Sequence, residues 1–276
     1  GFDLAPGGGF NAMVAARRAG MIVAYGGSLG TGPFASMVID GLRDERIALL
    51  RSRDLERDQG CCTVMIDADG ERTFVASDGS EGHVERAALD EITFSEYDWT
   101  LLSGYALHYP GSRDTLTDWL ERNGAIRRFV FDPSPLVAKL ERRALAAALA
   151  RATWVSANLR EAAVITGLSD PKAAALALAV GREGGAVVRN GAAGCVVATG
   201  NRSTEIPGIR VNAIDTTGAG DTHVGTFIAE LERHGDPIGA ARYANAAAAI
   251  STTFQGPATA PSRGSVNKFL NTKKVG

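Results

Sequence analysis

The sequence predicts an α/β protein in which a mostly parallel central sheet lies between helices. The first reason is a rhythm: from Trp99 onward, short apolar runs at 99–103, 128–132 and 153–156 alternate with helical stretches at 113–122 and 136–150. Parallel strands joined by crossover helices require that alternation. The second is size, because 276 residues, 45% hydrophobic and 22% charged, suffice for one large core with a small appendage. The third is a glycine-rich turn at 218–220 that joins an extended segment to a long apolar-periodic helix, and open α/β sheets bind ligands at such junctions.

Composition excludes several partners. A net charge of -2 with scattered Lys and Arg gives no basic field for nucleic acid or an anionic membrane, and leaves a small molecule as the fitting partner. Three cysteines, with Cys61 and Cys62 adjacent, make neither a disulfide framework nor the paired spacing of a structural zinc site. No apolar run reaches the roughly 18 to 20 residues of a membrane span, and no signal peptide opens the chain. A soluble protein of the reducing cytoplasm is expected.

Residues 11–19 read as a small-residue helix, with Ala12, Ala15, Ala16 and Ala19 permitting close packing and Gly20 ending it. Asn11, judged locally, is a helix cap. Residues 21–25 read as a short buried strand, and Gly26 to Gly32 lead into a helix that begins with Pro33. A rival motif lies here, since Gly30-Thr-Gly32-Pro-Phe-Ala35 satisfies G-x-G-x-x-A and Asp54 and Glu56 follow at the spacing of a dinucleotide fingerprint. An NAD-dependent enzyme on this motif ranks below, because four residues separate Tyr25 from Gly30 whereas the fingerprint turn follows its strand directly. Residues 61–77 alternate around Asp69-Gly70 and predict a β-hairpin, either purely structural or a wall of the substrate site.

In the predicted sheet, ligands gather beyond the carboxyl ends of the strands, where Ser103-Gly104-Tyr105, Asp132-Pro133 and Asn158 fall. His108 reads as an ordinary surface residue. Asn158 with Glu161 three positions later has the spacing of a capping box. Residues 172–181 form an Ala-rich helix, residues 186–191 a buried strand closed by an Asn190-Gly191 turn, and residues 195–199 a second strand. Arg189, judged alone, makes a surface ion pair of little energetic weight. Residues 242–250 form another small-residue helix, and Gly256-Pro257 ends the pattern.

The stretch Asp215-Thr-Thr-Gly-Ala-Gly-Asp-Thr-His-Val-Gly-Thr-Phe227 carries the chemistry. The first amides of a helix have no partner within it, and at Gly218, Ala219 and Gly220 no bulky side chain covers them, so they are donors for an anion. Asp221 lies beside them. Amides that hold developing charge next to a carboxylate that takes a hydroxyl proton suit phosphoryl transfer to an alcohol. A bare G-x-G-D would read as a turn with a capping Asp, but the longer string closely resembles the C-terminal signature of the PfkB, or ribokinase-like, carbohydrate kinases. Gly7-Gly-Gly-Phe-Asn11 followed by Gly20 is similar to that family's N-terminal sugar-binding motif. The resemblance runs through nearly the whole chain, and Asp69 to Phe74 and Ser103-Gly-Tyr105 bring it nearest to uncharacterised bacterial sugar kinases of the family.

The resemblance implies a ribokinase-like fold: one kinase domain over 1–276, its sheet between helices and a small β lid contributed partly by segments near both 1–10 and 61–77. It implies ATP-dependent phosphorylation of a hydroxyl on a sugar or sugar-like molecule, with Asp221 as base and Gly218, Ala219 and Gly220 as anion hole. By the same resemblance Gly7, Gly9 and Asn11 bind the acceptor, Asn158 and Glu161 help place Mg2+ and phosphate, and Arg189, Gly191, Asn245 and Gly256 contact ATP. Asp215, Thr217, Ser251, Phe254 and Gly256 supply oxygens for a monovalent cation such as K+. A nucleoside kinase is the near alternative; a noncatalytic sugar-binding protein is more distant. Three positions depart from the family pattern: Pro6 where its Gly pair begins, Gly32 where G-x-D-x-x-G has Asp, and Ala260 where some relatives have a Ser ligand. The opening Gly1-Phe-Asp-Leu-Ala-Pro lacks the family's first strand, so an absent N-terminal strand and part of the lid are expected, as is a homodimer joined through the lid.

Overall fold

The computed structural model describes residues 4–66, 72–122 and 126–273. Among the described residues the main sheet has six strands: β5 (Trp99–Ser103), β6 (Arg128–Asp132), β7 (Trp154–Asn158), β8 (Gly185–Arg189), β9 (Gly194–Thr199) and β10 (Arg202–Pro207). They lie side by side in chain order. β5 to β8 are parallel, and β9 and β10 each run antiparallel to the strand before. The mostly parallel sheet read from the sequence is therefore present, with two antiparallel strands closing one side.

The connections explain which face is covered by what. Crossovers between parallel strands are right-handed, so in a strictly sequential sheet every crossover helix lands on the same side. α4 (Gly104–His108) and α5 (Pro110–Arg122) follow β5, α6 (Arg142–Arg151) follows β6, and α7 (Leu159–Thr166) and α8 (Pro171–Ala179) follow β7. Leu107, Leu116, Trp119, Ala148 and Leu178 from these helices pack on Phe129, Phe131, Val155, Val188 and Val196 of the sheet. Residues of opposite parity, Val130, Trp154, Val187, Cys195 and Val197, face the other way. That second face is covered by helices from the ends of the chain: α9 (Ala219–His234), α10 (Pro237–Ser251) and α1 (Gly9–Arg18). Phe227 of α9 meets Trp154 edge-on, with ring centroids 5.1 Å apart.

A smaller cluster, Phe10, Val14, Leu29, Ala35, Leu42 and Ile47, joins α1 to α2 (Pro33–Asp44) and to the two-residue pair of β1 (Ala24–Tyr25) with β2 (Ala48–Leu49). The strand expected at 21–25 is corrected here. Only Ala24 and Tyr25 pair, and Ile22 is 96% exposed, because this pair lies apart from the main sheet and packs by one face only, through Val23 and Tyr25, on the smaller cluster. The helix expected at 136–150 also starts later. Val137–Lys139 is a 3-10 turn, and α6 begins at Arg142, where the Glu141 side chain accepts from the amides of Arg143 and Ala144. β3 (Cys61–Ile66) and β4 (Arg72–Ser77) form the expected antiparallel hairpin, registered from Cys61 opposite Ser77 to Ile66 opposite Arg72. Its Asp69-Gly70 tip lies outside the described residues. Val64, Met65 and Val75 are exposed, so the hairpin stands clear of the core. The short α3 (Arg86–Asp90) precedes β5, and α11 (Arg263–Lys273) packs on α10. No single helix among the described residues is long and apolar enough to cross a membrane.

α1 crosses α9 at Gly225, where a Cβ would stand 2.1 Å from the carbonyl oxygen of Ala12. Gly225→Ala must push the helices apart, and overpacking of this kind costs about 1–3 kcal/mol. The midpoint of denaturant unfolding should fall accordingly; an unchanged midpoint would show that the two helices separate without strain.

Candidate active site

The site forms where β5 to β8 end and α9 begins. Gly218 caps α9 in the left-handed region at φ 73°, with no side-chain cap on the helix. A side chain at Gly218 would press on the Asn11 amide, 3.2 Å from a built Cβ, so glycine is needed for both conformation and space. The Ala219 amide makes a long 3.3 Å bond to the Thr216 carbonyl; the amides of Gly220 and Asp221 belong to the first turn, which has no intrahelical acceptors.

Asp221 sits in this first turn, and its Oδ2 accepts a 2.8 Å hydrogen bond from Nδ2 of Asn11. Asn11 is buried, and its Oδ1 accepts from the Ala258 amide at 3.0 Å. The helix containing it starts at Gly9 with Gly8 as N-cap, so Asn11 is not a cap: its side chain joins α1, α9 and the loop after α10. Burial raises the Asp221 carboxyl from 3.8 to about 6; the Asn11 bond and Arg189 lower it, and Asp132 adds to the rise. Gly7 and Gly9 are exposed, with nothing within 4 Å of a Cβ built on either, so bare backbone precedes Asn11 in the chain.

β7 runs directly into α7, and Asn158 is both its last residue and the cap of the helix. The capping box is complete: Glu161 N donates to Asn158 Oδ1 at 2.9 Å, and Glu161 Oε2 accepts from the Asn158 amide at 2.8 Å. Glu161 is buried, and that burial, reinforced by Asp132, raises its carboxyl. Arg189 at the end of β8 is not the surface residue that local reading gave. Its Nη1 donates to the Gly220 carbonyl at 2.7 Å and its Nη2 to Asp132 Oδ2 at 3.0 Å, with Glu161 Oε2 at 3.5 Å. Only 11% of its side chain is exposed.

Asn245 on α10 is buried. Its Nδ2 donates to the carbonyls of Ile206 and Pro207 at 3.3 and 3.2 Å, and its Oδ1 lies 3.1 Å from Nε2 of His223. Its side chain thus holds the end of β10. Burial pushes His223 down to about 3, so the ring is neutral at physiological pH and packs parallel to Phe227. Gly191 lies at φ 55° on an exposed turn. Asp215 ties the segment before α9 to the loop after α10, its Oδ1 accepting from the Thr217 amide and its Oδ2 from the Gly256 amide, both at 2.9 Å. The Ser251 hydroxyl turns back to the Ala248 carbonyl, whereas its own carbonyl accepts from the Phe254 amide and the Thr259 hydroxyl. Ala260 is buried, and its carbonyl, like that of Ala258, accepts from Nη1 of Arg18.

Two residues outside the sequence-derived site set matter here. Asp132 faces Arg189; its signal was its place at the carboxyl end of a predicted strand. Asp58 caps α2, accepting from the amides of Phe34 and Ala35 at 3.2 and 2.8 Å. Its carboxyl carbon lies 2.5 Å from where a Cβ on Gly32 would be, so Asp58 fills the space an Asp side chain at position 32 would enter. The same contact counts against a dinucleotide on Gly30-Thr-Gly32, since a protein carboxylate occupies the helix terminus that would take the pyrophosphate.

The model of the pfkB family carbohydrate kinases matches residues 2–263. The uncharacterized sugar kinase YegV of Escherichia coli (strain K12) is 30% identical over 267 residues, covering 92% of this chain and 79% of that protein. The ATP-dependent ribose-1-phosphate kinase of Halopiger xanaduensis is 31% identical over 273 residues, covering 96% and 86%. Among solved structures, fructokinase from Vibrio cholerae O395 in its fructose, ADP and calcium ion bound form superposes with a TM-score of 0.81 at 26% identity, covering 96% of this chain and 91% of that one.

The Asp221 shift has a consequence for stability. Between 3.8 and about 6 the folded protein keeps a proton that the unfolded chain has lost. Stability from this group is therefore greatest at low pH and declines as pH rises toward 6. Asp221→Asn, which cannot ionise, should be more stable than the parent by on the order of 1–3 kcal/mol at about pH 8, and the gain should disappear below about pH 4. Denaturant titrations across that range read the difference; a gain independent of pH would trace it to packing instead of charge.

Proposed function

Since the chain belongs to the pfkB family of carbohydrate kinases, we propose that it transfers the γ-phosphoryl group of ATP to a hydroxyl of a sugar or sugar-like molecule, with Asp221 as general base. The observation that carries this reading is the half-buried Asp221 carboxylate, held on Oδ2 by Asn11 in the first turn of a helix with no side-chain cap. Oδ1 is then the oxygen available to the acceptor. A base whose carboxyl titrates near 6 is ionised at neutral pH, yet more basic than an ordinary carboxylate, which suits proton removal as the hydroxyl attacks. The amides of Gly218, Ala219 and Gly220 hold the negative charge of the phosphoryl group in flight. Asn11 and the bare backbone at Gly7 and Gly9 orient the acceptor, and Gly191, Asn245 and Gly256 border the nucleotide.

ATP as donor is supported by the names of the relatives, one an ATP-dependent kinase and one solved with ADP. Asn158 and Glu161 would hold magnesium at the phosphate edge. Glu161 Oε2 accepts from the Asn158 amide and faces Arg189, whereas Oε1 accepts only from the Asn158 side chain and keeps a lone pair, so the carboxylate fits a hard cation that retains waters; when bound, the ion would neutralise phosphate charge. The oxygen-only donors of 215–217 and 251–256, brought together by the Gly256 amide on Asp215, fit a monovalent cation. We assign the whole of 1–276 to one cytoplasmic kinase domain with the hairpin as its lid. The exposed Val64, Met65 and Val75 make the hairpin the surface through which a homodimer would form.

ADP release measured over ribose, fructose, ribose 1-phosphate and a set of nucleosides should reveal at least one acceptor. Sugar binding without turnover would leave a noncatalytic sugar-binding protein, and turnover confined to nucleosides would give the nucleoside kinase. With the acceptor in hand, Asp221→Asn should lower turnover by on the order of 10²–10⁴ while ADP binding survives. Near-normal turnover in that variant would remove Asp221 from the role of base.

A further inference from the structure

Arg189 lies beneath the turn whose amides face the phosphoryl group, and its donors are committed inward. Nη1 bonds the Gly220 carbonyl at 2.7 Å, and Nη2 bonds Asp132 at 3.0 Å and the Ser156 carbonyl at 3.4 Å. Nε is buried and has no partner, so a phosphate outside cannot reach it. The positive charge is already opposed by Asp132 and Glu161. A cation so neutralised and enclosed is a poor ligand for a nucleotide.

The bond to Gly220 has a different use. The Gly220 carbonyl and the Asp221 amide are opposite ends of one planar trans peptide; the two bonds point in opposite directions, so their dipoles add. A cation fixed on the oxygen locks the orientation of that peptide and strengthens its N–H as a donor on the far side. The contact is close: a Cβ at Gly220 would lie 3.2 Å from Nη1 of Arg189, so the glycine lets the turn settle onto the guanidinium. Only the planar fork of arginine reaches the carbonyl and the Asp132 carboxylate together; a lysine ammonium is a single point.

We propose that Arg189 is a positioning residue for phosphoryl transfer, holding the Gly220 carbonyl from beneath and so fixing the turn of 218–220 together with the 220–221 peptide that follows it, without touching the nucleotide. This rests on the reading of the site as a kinase. It predicts a loss in the chemical step with little loss in nucleotide binding.

The test uses the full chain with Arg189→Met, and with Arg189→Met combined with Asp132→Asn so that a buried carboxylate is not left without its cation. Circular dichroism checks the fold of both. For at least one folded variant, turnover with the best acceptor should fall about 100-fold while the KM for ATP and the affinity for ADP with magnesium change less than about threefold. Arg189→Ala should regain about tenfold in turnover with millimolar guanidinium ion. Hydrogen exchange across 218–222 should speed by about tenfold in the variants while exchange in β5 and β6 stays unchanged. A tenfold or greater loss of ADP affinity with unaltered exchange at 218–222 would overturn the proposal and make Arg189 a phosphate contact. If the parent phosphorylates nothing, the kinase reading fails, and the exchange comparison still decides whether Arg189 holds the cradle; unaltered exchange would then overturn it as well.

Discussion

A close approach between the two ends of the chain, α1 against α9 at Ala12 and Gly225, fixes the rest of the site. Residues four apart on a helix share a face, so the face of α9 that seats Gly225 on α1 also presents Asp221 one turn earlier. Asn11 immediately precedes Ala12, and the contact therefore sets Asn11 and Asp221 side by side without any further adjustment. A bulkier residue at the crossing would shift the hydrogen bond that orients the carboxylate, although it lies a full turn away. Packing and chemistry are set here by the same missing Cβ.

The electrostatics follow from crowding around one cation. Asp132 and Glu161 lie against Arg189, and Asp221 feels both Asp132 and Arg189. Desolvation is the largest influence on Asp221 and on Glu161, and both carboxyls rise. Arg189 opposes that rise in each. The outcome is a group that stays ionised at neutral pH while remaining a better base than a solvated aspartate, with a neutral His223 two residues on that packs against Phe227.

The sheet was legible in the sequence because strand and helix periodicities are local, and β5 to β9 fall within a few residues of the runs that announce them. The hairpin was legible for the same reason. The parts that were not legible depend on contacts between distant segments. Nothing around Gly32 announces that Asp58 fills the space beside it, and nothing around Arg189 tells a surface cation from one buried against Gly220 and Asp132. Met21 to Tyr25 has a buried strand's composition but is covered on one face only, by contacts of Met21, Val23 and Tyr25 with distant segments, so Ile22 is exposed. For Asn11, a helix starting at Gly9 turns a capping residue into an interior one whose side chain faces Asp221. The local pattern of small residues could not separate those two registers; the motif context could.

The strictly sequential strand order also bears on how the protein is made. Among the described residues, 99–207 carry all six strands of the main sheet and the crossover helices of one face, so that half-sandwich can assemble on a ribosome as its residues emerge. The opposite face, with Val130, Trp154, Val187 and Val197, lacks most of its cover until α9 and α10 have been synthesised, although α1 emerges first. During that interval the nascent chain displays an apolar sheet surface, the kind of feature that draws chaperones or self-association. Synthesis stalled before residue 219 leaves that surface without its C-terminal cover, whereas Phe227 and Leu231 of α9 begin to close it once they clear the exit tunnel.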